Sequence, residues 1–187
     1  MLAAMTRLAK DGDQAPNIFA HIEHARMAAN AFALFQDMEL WGQHRNFDIH
    51  EAAGAYSGIF DDLDARTRPS TWSERSVKTY VTVGIFGDLL HELSRRNNVF
   101  LKSVDKWSLG QSEWALAYIG PEIARDEQLA ARLSLWARRV AGEVLGLVRS
   151  TLFTHPELVE IPEARDEIVD LVTKLHGERM KELSLKP

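Results

Sequence analysis

The 187-residue chain contains no cysteine. That excludes a disulfide framework, a thiolate metal site and a cysteine nucleophile, and it fits a reducing compartment, so a cytoplasmic location is expected. A basic excess is also missing: 22 Lys and Arg against 27 Asp and Glu leave a net charge of −5. That balance argues against a protein that wraps duplex nucleic acid. No stretch approaches the ~20 apolar residues of a membrane span. The opening MLAAMTRLAKDGD is too short and too interrupted for a signal peptide, so no membrane partner is expected. Strand-like alternation, internal repeats, low-complexity segments and glycine-rich phosphate loops are absent as well.

What is there is helical. With 45% hydrophobic and 26% charged residues, the chain suits one core and a single domain over 1–187. The stretch 71–97, TWSERSVKTYVTVGIFGDLLHELSRRN, is apolar almost all the way round. Wound at about 100° per residue, Val83, Phe86, Leu90 and Leu93 form one face, and Val77, Val81 and Ile85 extend it round the other side. Asp88, His91, Glu92 and Arg95 cluster opposite Phe86 and Leu90 and read as a solvated face. Such a helix belongs in the middle of a bundle.

The remaining helices follow from spacing and punctuation. A stub over 2–10 is stopped by Asp11-Gly12-Asp13 and Pro16. From the N-cap Asn17 to Trp41 a helix carries two apolar stripes, with Ile22, Ala29 and Phe32 on the second. Residues 42–69 read as a long connection holding a short helix over 51–63. A helix is expected over 99–120, with Leu101, Val104, Ser108, Gln111 and Ala115 on one stripe and Gly120-Pro121 as its end. A heptad-like run spans 126–153, and a last helix starts near Pro162 and reaches about Leu183.

Long helices joined by one long crossover are the pattern of a ferritin-like bundle, whose interior can hold a metal pair. That site needs a Glu from each of two helices and a Glu-x-x-His from each of two others, because i and i+3 aim two ligands at one ion. One carboxylate-x-x-His exists, Asp88 to His91, and these two are the candidate ligands. His21 and His24, three apart near a helix start, read as exposed polar residues. His176 reads as a core or boundary histidine hydrogen-bonded to backbone. Arg132, Arg138, Arg139 and Arg149, interspersed with Glu143, read as mixed-charge surface.

From Ala65 onward, ARTRPSTWSERSVKTYVTVGIFGDLL and RLSLWARRVAGEVLGLV resemble the ferritin-like proteins of actinobacteria related to tRNA hydroxylases, as do the run from Ala25 to Ala29, His176 and Met180. The resemblance implies a di-iron enzyme that hydroxylates a prenylated, methylthiolated adenosine of tRNA. It also implies where ligands should stand. At the acid-x-x-His of the second helix this chain has Ala31 and Leu34, and at that of the fourth Ser108 and Gln111; the acid of the third falls at Val83 or Thr82. None of these side chains binds iron as the family does.

The expectation is therefore an all-α, ferritin-like bundle with a shortened first helix and two additional C-terminal helices. It lacks the di-iron ligands and acts as a non-catalytic binding or structural protein with no cofactor. The alternative is a di-iron hydroxylase acting on a modified tRNA nucleoside. A homodimer is expected through the open apolar flank of the second helix, alongside an unknown protein partner; a tRNA partner rests on the resemblance alone.

Overall fold

The computed structural model describes residues 1–100, 107–159 and 161–187. Among them are nine α-helices and no strand: α1 (Leu2–Asp13), α2 (Ile18–Gln43), α3 (Ile49–Gly54), α4 (Asp61–Arg66), α5 (Trp72–Arg96), α6 (Gln111–Tyr118), α7 (Gly120–Arg125), α8 (Glu127–Thr154) and α9 (Pro162–Glu182). The chain divides into two compact units, Met1–Arg66 and Thr67–Pro187.

In the first unit α1 and α2 form a hairpin, joined by four residues and packed along α1. Asn17 starts α2 by accepting a hydrogen bond from the Ala20 N–H at 2.9 Å, as its side chain predicts. The stub runs a turn further than its Asp11-Gly12-Asp13 stop signal implies, to Asp13, with Leu8 and Gly12 buried. His24 is not the exposed residue its spacing from His21 suggests. It is fully buried, and its Nδ1 lies 2.9 Å from the Ala20 carbonyl. The connection holds two short helices, not one. Asp48 caps α3 through the His50 and Glu51 N–H groups, and α4 is tied to α1 by Arg7, which bonds Asp64 at 2.7 Å and covers the Phe60 ring.

The second unit is built on α5, which packs against α6, α8 and α9. Thr71 caps α5 through the Glu74 N–H at 3.2 Å, while the Glu74 carboxylate accepts from the Ser70 N–H at 2.7 Å. Val77, Val81, Ile85, Leu89 and Leu93 are buried, and Val83, Phe86 and Leu90 are half-buried, so the apolar character of α5 is matched by full burial on one side and partial burial on the other. Across from them α8 supplies Leu133, Ala137, Val140, Val144 and Val148, and α9 supplies Ile168, Val172 and Met180. Trp136 of α8 donates its indole N–H to the Glu74 carbonyl at 2.7 Å, fixing the first turn of α5. The C-terminal residues run back to α8, where the Lys186 N–H reaches the Ser134 hydroxyl at 3.0 Å.

The helix expected over 99–120 is the main correction. Asn98 and Phe100 take left-handed backbone angles after α5, and Gly110, at φ 96°, precedes the eight-residue α6. A left-handed residue breaks a helix whatever the apolar spacing around it. Ser108 thus lies in a loop before α6, and Leu101 and Val104 lie outside the described residues. Gly120-Pro121 follows directly on the end of α6 at Tyr118, as expected, and also opens an element: Pro121 sits in the first turn of α7, where its missing N–H costs no bond.

The two faces of α8 give a direct check on this packing. Leu133 has no exposed surface, whereas Leu135, two residues on, is 63% exposed. Leu133→Ala should destabilise by about 2–5 kcal/mol in urea unfolding, and Leu135→Ala should change stability by no more than about 0.5 kcal/mol.

Candidate functional site

The side chains with chemistry gather along one seam of the second unit, between α5 and α9. Tyr80, Gly84, Asp88 and His91 follow at intervals of four, four and three, which places them on one stripe of α5. Arg179 of α9 lies across that stripe. Its guanidinium forms an ion pair with Asp88, and its carbonyl accepts the Tyr80 hydroxyl proton at 2.8 Å. Gly84 makes room for it: a Cβ there would stand 2.7 Å from Arg179 Nε. The Asp88 and Arg179 side chains are only 15% and 12% exposed.

On the polar face of α5 Arg95 is exposed, as amphipathic spacing implies, but Asp88, His91 and Glu92 are packed and not solvated. Glu92, one position past His91, keeps 7% of its side chain exposed and is gripped by Arg95 at 2.7 Å and Arg96 at 2.6 Å, with Arg96 reaching on to Glu167 of α9 at 3.1 Å. Burial pushes the Asp88 carboxyl up despite the guanidinium beside it, so desolvation outweighs the ion pair. Hydrogen bonds from Arg95, with Arg96 adding to them, hold Glu92 down to about 2. His176, one turn before Arg179, is buried, and burial with the nearby guanidinium lowers it to about 4, so it is neutral at pH 7. The backbone bond expected of it is not made through Nδ1. Among the described residues Arg179 Nη1, His176 Nδ1 and His91 Nδ1 are buried with no hydrogen-bond partner.

Metal chemistry asks more of this seam than it supplies. Among the described residues no group of three or more His, Asp and Glu side chains could hold a metal ion. Asp88, the one carboxylate of the acid-x-x-His pair, already has a cationic partner. A di-iron centre does not fit these residues. In the first unit a shallow depression at the α2–α3 elbow holds one imidazole–carboxylate pair, His50 and Glu39 at 3.0 Å, and Asp48 beside it is spent on its helix cap.

Compared with known families, residues 1–161 match the model of the ferritin-like domain of actinomycetes. The chain belongs to that family. No curated protein matches it. Among the described residues no helix is long and apolar enough to cross a membrane.

The positions at which the tRNA hydroxylase resemblance leads one to expect ligands fall in both units. Ala31 and Leu34 are buried on α2 in the first unit, and Val83, Ser108 and Gln111 belong to the second. Gln111 is buried with its amide spent on the loop: its Oε1 accepts the Leu109 N–H at 2.8 Å and lies 3.5 Å from the Ser108 hydroxyl. Val83 is half-buried, and the neighbouring Thr82 hydroxyl is buried with no partner among the described residues. The structure thus brings Asp88 and His91 together, and Ser108 and Gln111 together. Sequence reasoning missed Arg179, Gly84 and Tyr80. The signal for the last two was the four-residue spacing that carries them into line with Asp88.

Two pH windows follow from the seam. Glu92 stays ionised in the folded chain down to about pH 2 but protonates near 4.5 when unfolded, so its stabilisation is complete above pH 4.5 and is lost as pH falls towards 2. Glu92→Gln should cost about 2 kcal/mol at neutral pH and flatten that fall in urea midpoints. His176 protonates near pH 6.5 unfolded and near 4 folded, so stability should decline as pH drops through that interval. His176→Gln should remove this earlier slope and leave the later one.

Proposed function

We propose that this chain is a non-catalytic member of its family, a ferritin-like helical protein with a binding or structural role. On this reading it is degenerate at the place where tRNA hydroxylase-like proteins hold their di-iron centre. The observation that carries the reading is the Asp88–Arg179 ion pair. A carboxylate committed to a guanidinium inside a helix seam is a packing element, and binding a metal there would mean breaking a buried pair, at a cost of about 3 kcal/mol. Apolar Ala31, Leu34 and Val83, and a Gln111 amide engaged by its own loop, support the same conclusion from the positions where ligands would otherwise stand.

The family match runs across the boundary between the two units, which supports reading 1–187 as a single ferritin-like domain. The lack of cysteine supports a cytoplasmic location. The competing reading, a hydroxylase of a modified tRNA nucleoside, requires a metal pair relocated to Asp88 and His91.

Elemental analysis after loading with ferrous iron and desalting separates the two. The proposal expects well under one iron per chain, unchanged in Asp88→Ala/His91→Ala. Two iron ions per chain, lost in that double variant, would overturn it.

A further inference from the structure

The outer face of α2 carries more exposed apolar bulk than a helix of a closed structure needs. Ile18, Ile22, Phe32 and Leu40 are all exposed, at 72%, 47%, 41% and 55%. With Ala25, Ala29 and Gln36 they fall on one arc of about 80° at 100° per residue. A stripe of this kind marks an interaction surface, and here the pattern of the stripe says what it is built to meet.

Arg26 and Asp37 are exposed on the same flank of that stripe. The midpoint between them is the Ala31–Phe32 step, and the midpoint between Ile22 and Leu40, which share one angular position, falls at Ala31. Both pairs are thus related by one axis. We propose that a second copy of this chain docks on α2, antiparallel, about a two-fold axis at Ala31–Phe32. A two-fold normal to both helices turns each flank towards the same flank of the other copy. Arg26 of each copy then meets Asp37 of the other, Ile22 meets Leu40, and Ala29, Phe32 and Ala33 meet around the axis, with the alanines letting the backbones approach. In a parallel pair Arg26 and Asp37 would stand eleven residues, about 16 Å, apart. Antiparallel pairing alone makes the surface complementary to itself in charge as well as in shape, as an isologous interface must be. Among the described residues Arg26 is held by the exposed Glu23 contact at 3.4 Å, a weak surface pair that its guanidinium can exchange for one with a partner. This proposal does not depend on whether the chain binds metal.

Light scattering on the full chain at micromolar concentration tests it. A dimer is expected for the unaltered protein, weakened by raising salt, because exposed ion pairs are screened. Arg26→Asp and Asp37→Arg alone should each weaken dimerisation at least tenfold, and the two together should restore it. Phe32→Glu should give a monomer with unchanged helical content by circular dichroism. An unaltered chain that is monomeric overturns the proposal, and so does a dimer whose charge-swapped double variant is no stronger than the single variants.

Discussion

The ion pair between Asp88 and Arg179 is the constraint around which the second unit is arranged. It joins residues 91 positions apart, and three other features exist to accommodate it. Gly84 has no side chain because the guanidinium occupies that space. Tyr80, one turn before Gly84 on α5, donates its hydroxyl hydrogen bond to the carbonyl of the same arginine. His176 sits beside the guanidinium as a neutral ring. Burial penalises the aspartate more than the arginine relieves it, so the pair adds little net stability compared with an apolar seam. What it adds is register: an α9 slid by one turn would leave two buried charges unpaired, which costs far more than the pair contributes.

That role bears on function. A ferritin-like bundle that binds two metal ions devotes its inward carboxylates to the ions, which then hold the helices together. Here the inward-facing carboxylates, Asp88 and Glu92, are neutralised by arginines of α5 and α9. The helices are held by protein groups on both sides. The fold of the family is kept, and the force that positions α9 on α5 is an ion pair and a hydrogen bond from a tyrosine, with apolar packing of Val81, Ile85, Val172 and Met180 behind them.

Much of the architecture was legible because it depends on local signals. Thr71, Asn17 and Asp126 cap the helices that they were expected to start, and the long helices end within two or three residues of their stop signals. The all-α class followed from the absence of alternation. The failures come from non-local or single-residue causes. The 99–120 stretch keeps helical apolar spacing, but Gly110 adopts a left-handed angle that spacing does not encode. His24 reads as polar surface until α1 is folded over it. The face bearing Asp88 and Glu92 reads as solvated because periodicity reports what one helix presents, not what another brings. The candidate ligands were found from a two-residue motif; the arginine that gives one of them its meaning lies in the last helix, beyond the reach of any local pattern.

A double-mutant cycle on Asp88 and Arg179, followed by urea unfolding in the presence of a metal chelator, tests the central claim most directly. Each alanine substitution alone should cost about 3 kcal/mol by leaving a buried charge unpaired. The double substitution should cost less than the sum of the two by at least about 1 kcal/mol, with values unchanged when the chelator is omitted. Additive losses, or a stability of the unaltered protein that falls when the chelator is added, would contradict the account.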